Sequence, residues 1–157
     1  MSATPSNEHN LSALAFLLEE TFPGHPEPGN AYLDSGTGWR HTLQDVTHTQ
    51  ASRPLAPGGT TIAGHVEHTR FYLQMMREFL LGRTERVDWS LSWLVTEVDE
   101  ERWLALQGEL LEEQRRVLEL ARARDVWDED AIVTLFGLVA HSAYHLGAVR
   151  QMRKVVG

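Results

Sequence analysis

Cysteine is absent from this 157-residue chain. That excludes disulfides, thiolate zinc sites, iron–sulfur clusters and a cysteine nucleophile, so any metal must be held by His, Asp or Glu. Positive charge is scarce: 14 Lys and Arg stand against 22 Asp and Glu, a formal net charge of −8. A chain without a basic footprint is not expected to have a nucleic-acid partner. Sustained period-two alternation is missing, which leaves no basis for a sheet. Residues 1–10 lack a basic stretch followed by an apolar run, so no secretory signal is read and the cytoplasm is the expected compartment. What the chain does have is 42% apolar residues, arranged in periodic blocks. These suffice for one domain over residues 1–157 with a core of its own.

Four segments carry a helical period. Leu11, Leu14, Ala15, Leu18 and Phe22 mark the first, with Asn7 or Asn10 as its expected cap and Pro23-Gly24 as its end. Over residues 60–81 two stripes run side by side. One holds Ile62, Val66, Thr69, Leu73, Met76 and Leu80; the other holds Thr61, His65, His68, Tyr72, Met75 and Phe79. A third helix is expected over 99–124, apolar along Trp103, Leu106, Leu110, Val117 and Leu120. The fourth segment, 131–149, has nineteen residues without a formal charge, long enough to raise a membrane span. Two histidines, two glycines, Thr134, Ser142 and Tyr144 interrupt it, acids precede it and bases follow it. That pattern reads as the innermost helix of a soluble bundle, not as a membrane span. Residues 24–38 are expected to be loop, 40–50 a short helix, and 82–98 a packed loop or single helical turn. The expected fold is all-α, a four-helix bundle with a long first crossover connection.

The chemistry lies in the eight histidines. His141 and His145 are four apart, so both rings leave one face of the last helix and can reach one divalent ion. Burying two polar rings in so apolar a segment costs free energy unless something satisfies them, and a metal does. Ser142 stands where H-E-x-x-H peptidases have their glutamate, so the central base of that chemistry is lacking. A third ligand has to come from another helix, and His65 and His68 are both candidates that periodicity does not separate. His41 and His48, seven apart on one face of the expected short helix, read as surface residues, and His9 and His25 fall in coil.

The segments T-T-I-A-G-H-V-E-H-T-R-F-Y-L (60–73) and H-S-A-Y-H-L-G-A-V-R (141–150) resemble the DinB-like family. The resemblance runs over nearly the whole chain, including Trp39 and the W-S-x-S-W stretch at 89–93, but its specific parts are the two histidine segments. It implies a four-helix bundle, often a homodimer, with a divalent metal held by three histidines. Thr61, Ile62, Val66 and His68 match the run that ends in the family's first ligand, so the resemblance selects His68 over His65. The other two ligands match His141 and His145, with Tyr144 and Gly147 fitting the same run. Ala148 departs from the pattern, since many members carry glutamine there. His65 and Tyr144 are then neighbours of the ligands, packed beside them or hydrogen-bonded to them.

Three neutral imidazoles leave a divalent ion, zinc or nickel first, its full charge and at least one open position. Such an ion lowers the pKa of bound water or thiol. Related proteins include transferases using bacillithiol or mycothiol, so the resemblance implies a metal-dependent thiol S-transferase with a low-molecular-weight thiol as cosubstrate. The missing cysteine agrees, since the sulfur then arrives from outside. Two other readings stand beside it. One is a stress-associated module in which the metal only ties helices together. The other is a metal-dependent hydrolase with Glu67 or His65 as base, although Glu67, one residue before His68, is expected to face solvent. The tryptophans at 89, 93, 103 and 127 are expected as core or dimer contacts. Arg150, five residues past His145, is expected to turn away from the metal face.

Overall fold

Regular structure in the computed structural model, which describes residues 7–25 and 29–157, is helical throughout. Helix α1 covers Asn7–Thr21, α2 Trp39–Leu43, α3 His48–Ala51, α4 Ile62–Leu80, α5 Glu100–Ala123 and α6 Glu129–Val156; a 3-10 turn spans Trp89–Trp93. The starts of the helices follow from their caps. The side chains of Thr61, Asp99 and Asp128 accept from the backbone N–H groups of Gly64, Arg102 and Ala131 at 3.1, 2.8 and 2.8 Å. Each such cap stabilises its helix by about 1 kcal/mol. Because α1 opens at Asn7, Asn10 lies inside its first turn and does not cap it. At the other end of α1, Gly24 adopts a left-handed φ of 84° and donates its N–H to Glu19 O at 2.9 Å.

The described residues of the connection after α1, 22–25 and 29–38, form no helix or strand, as expected, but they are not loose against the body. The buried Glu20 carboxylate accepts the backbone N–H groups of Ala31, Tyr32 and Leu33 at 2.9, 2.9 and 2.6 Å. Burial pushes this carboxyl up, but the bonds from Leu33, Tyr32 and Ala31 outweigh it and hold the group below its ordinary value. The chain then returns so close to α1 that a Cβ on Gly38 would stand 2.8 Å from Glu20 O. Only glycine fits there.

The short helix expected over 40–50 is two helices. Thr47 ends any continuation by forming a capping box with Gln50, which restarts the chain as α3. His41 and His48 therefore belong to different elements and share no face. Between α2 and α3, Val46 O accepts the indole N–H of buried Trp103 at 2.6 Å, fixing this connection onto α5.

The core is one cluster, with Leu18 of α1, Phe22 just after it, Trp39 of α2, Ile62, Val66 and Leu73 of α4, Leu106 and Leu110 of α5, and Leu138 and Val149 of α6. Helix α4 packs against α5, α6, α3 and the 3-10 turn, while α1 packs against α5 and α6. Covered on so many sides, α4 has no exposed residue along its whole length. It is therefore α4, not α6, that lies innermost. Helix α6 is long and apolar enough to cross a membrane by length and composition, yet it lends one face to the core and leaves Val133, Phe136 and Tyr144 exposed on another. Both stripes of α4 are used: the aliphatic one enters the core, and the one with His65 and His68 meets α6.

Candidate metal centre

The second stripe of α4 and the His141–His145 face of α6 come together at one point. His68, His141 and His145 each bring a ring nitrogen within 4.8 Å of the others. His68 and His145 are buried and His141 is half-buried. This is a set of three imidazoles that could hold a metal ion. Its fit to an ion shows in Nε2 of His141, which is buried and has no hydrogen-bond partner. A buried polar atom without a partner costs on the order of 1–3 kcal/mol; in the tautomer that leaves a lone pair on this nitrogen, a cation bound by the three rings would offset that cost.

The surroundings keep the rings neutral. Burial, then the neighbouring His141 and His65, pushes His68 down to about 4. Burial, then His141, His68 and His65, pushes His145 down to about 3. Burial alone lowers His65 and His141. At neutral pH no proton competes with a metal for these lone pairs.

Each ring is held differently. Nδ1 of His68 lies 2.7 Å from Ser92 Oγ in the 3-10 turn, and its face stacks on Trp93 with centroids 4.1 Å apart. His145 Nδ1 lies 2.9 Å from Nδ1 of His65, whose own Nε2 is 3.0 Å from Thr60 Oγ1. His141 stacks on Tyr72. His65 thus sits beside the triad, bonded to one of its members. Tyr144 is 73% exposed and touches His145 only edge to face, with centroids 5.0 Å apart.

Two expectations about neighbouring residues change. Glu67 does not face solvent: it is 7% exposed, and Arg70 grips both its oxygens at 2.8 and 2.7 Å. Arg102 stands 3.9 Å away on α5. Its position about 100° round from His68 places it on the α4–α5 seam, because that side of α4 is covered by α5. Trp93, expected as core or dimer contact, belongs to the centre; Trp103 is core as expected. Arg150 lines a cavity of about 320 Å³ with Thr37, Thr42, Arg153 and Lys154.

Thr60, Ser92 and Trp93 were not legible as site residues: Thr60 lies just before α4, and Ser92 and Trp93 lie in a five-residue 3-10 turn too short for a period to assign a face. Tyr72 was within reach, four residues past His68 on the same stripe. Comparison with protein-family models, curated proteins and solved structures returns no match to this chain.

Proposed function

We propose that the protein is a DinB-like four-helix bundle, formed by α1, α4, α5 and α6, that binds one divalent metal through His68, His141 and His145 and acts as a metal-dependent thiol S-transferase. The observation that carries this reading is the meeting of three imidazoles, one of which, His141, has a buried nitrogen with no hydrogen-bond partner. Zinc or nickel suits such a nitrogen set. When bound, the ion supplies Lewis acidity that lowers the pKa of a thiol into the neutral range. Three protein ligands leave a position for the sulfur of a low-molecular-weight thiol, of the bacillithiol or mycothiol kind. Trp93 and Tyr72 wall the triad with aromatic faces, which limit water around the reacting sulfur.

Hydrolysis is less well supported. Its base was to be Glu67 or His65, and Glu67 is bound by Arg70 on another side of α4, while His65 has both ring nitrogens engaged. A homodimer in the cytoplasm completes the proposal. Val133, Phe136 and Tyr144, exposed on one face of α6, form an apolar stripe of the kind that partners cover.

Metal analysis of tag-free protein tests the centre: one equivalent in the wild type and a near-total loss in His68→Ala are expected. Unchanged metal content in the variant would sink the triad. Conjugation of bacillithiol, mycothiol or glutathione to a model electrophile, with and without chelator, tests the reaction. Turnover that chelator abolishes is expected; no turnover with any thiol favours the binding module.

A further inference from the structure

The hydrogen bonds around the triad fix the proton on one of its rings and restrict a second ring to two arrangements. Ser92 is fully buried and has one hydroxyl proton, which it donates to Trp89 O at 2.6 Å, because a carbonyl oxygen only accepts. Towards His68 the same hydroxyl can only accept. Nδ1 of His68 therefore carries the proton, and the lone pair of this neutral ring is on Nε2. His68 has one tautomer.

His145 has two. Its Nδ1 faces Nδ1 of His65 at 2.9 Å, and between two neutral rings one of these nitrogens donates and the other accepts. If His145 donates, its lone pair is on Nε2, and His65 carries its own proton on Nε2 and gives it to Thr60 Oγ1. If His65 donates, the lone pair of His145 is spent on that bond and its Nε2 carries hydrogen. The Thr60 hydroxyl then donates to Nε2 of His65. Both arrangements satisfy every bond, because a hydroxyl can donate or accept. Both hold the same number of protons. Only the first leaves His145 Nε2 able to bind a metal.

We propose that Thr60, His65 and His145 form a tautomer relay, in which His65 is a positioning residue that accepts from Nδ1 of His145 and so presents its Nε2 to the metal, while Ser92 holds His68 permanently in the ligating form. This rests on the metal centre proposed above. Loading the centre selects one arrangement of the relay and moves no net proton into or out of it. Thr60, at the outer end, is exposed, so its hydroxyl is free to turn as the relay reverses. Hydrogen bonds from metal-ligating histidines to such partners fix the ring and typically contribute 10- to 100-fold in affinity.

Long-range ¹H–¹⁵N correlation spectra of the full chain, labelled at histidine, read each tautomer directly, first without metal and then with one equivalent of zinc. Nδ1–H on His68 is expected in both states. With zinc, Nδ1–H on His145 and Nε2–H on His65 are expected. Zinc bound at Nδ1 of His145, or Nδ1–H on His65 in the loaded chain, overturns the relay while leaving the metal centre standing. A wild-type chain that takes up no zinc overturns the metal centre, and the relay's role with it. Two variants add an affinity readout: His65→Ala is expected to weaken zinc binding by roughly 10- to 100-fold, and His65→Gln, which keeps an acceptor oxygen, to stay close to wild type. Equal affinities for all three proteins, or equal losses in both variants, overturn the acceptor role. Should His65→Ala fail to fold, the wild-type spectra decide alone.

Discussion

The ring of Tyr72 lies flat on the imidazole of His141, with centroids 3.7 Å apart and planes inclined by 13°. His141 Nε2 has no hydrogen-bond partner, and this ring of the triad rests on an aromatic face, whereas His68 and His145 are held by hydrogen bonds. One and the same stripe of α4 thus supplies His68 of the triad, the His65 ring bonded to His145, and the surface on which His141 rests.

It follows that Tyr72 acts through its ring and not its hydroxyl. Stacked aromatic pairs contribute about 0.5–1.5 kcal/mol beyond their burial. Tyr72→Ala is expected to weaken zinc binding roughly two- to tenfold, and Tyr72→Phe to leave it unchanged. A competition titration with a chromophoric chelator measures both. Equal losses in the two variants would assign the effect to the hydroxyl.

Acid should loosen the metal-free protein earlier than its carboxylates do. Unfolded imidazoles titrate near 6.5, whereas His68 and His145 in the fold titrate at about 4 and about 3. Below 6.5 the unfolded chain therefore binds more protons than the folded one, and stability falls as pH drops. Glu20 adds a loss of the same sign only near and below its ordinary value of 4.5. The urea midpoint of chelator-treated protein is expected to decline steadily from pH 7 to 5. A midpoint that holds level across that interval contradicts neutral burial of the triad.

Trp103→Phe removes the donor to Val46 O and leaves a buried carbonyl unpaired in the core. The expected cost is about 1–3 kcal/mol, read from urea denaturation at constant m-value. Because Val46 lies between α2 and α3, amide exchange should quicken there before it does in α5. No change in stability would show that the carbonyl finds another donor.

If the proposed homodimer forms through the exposed face of α6, charge placed on that face should separate its subunits without touching the core. Phe136→Glu with Tyr144→Glu is expected to convert a dimer to a monomer in sedimentation velocity, since the two side chains are 52% and 73% exposed. Secondary structure and zinc stoichiometry should stay as in the wild type. A wild-type chain that sediments as a monomer at all concentrations excludes the dimer.

Much of the fold was readable because the helices announce themselves locally. Pro23-Gly24, Thr61, Asp99 and Asp128 bound α1, α4, α5 and α6 through side-chain or glycine chemistry that needs no tertiary partner. His141 and His145 were readable for the same reason, being one turn apart. The break between α2 and α3 was missed although Thr47 and Gln50 show the capping-box spacing, because the segment is too short for a period to be tested. The depth of α4 was missed as well. Burial depends on how many neighbours cover a helix, and hydropathy does not report that: α6 is the more apolar helix and α4 the more enclosed. Choosing between His65 and His68 by residues alone failed because both face α6, and the structure uses both.

Glu19 in α1 and Arg122 in α5 form an ion pair at 2.7 Å across 103 residues of chain, and α1 also packs on α6. Individual helices of this length form in about a microsecond or less. Bringing the first of them onto the last two requires closing loops that span most of the chain, and contacts of such separation slow folding. The docking of α1, not the formation of any helix, is accordingly the step expected to limit the folding rate.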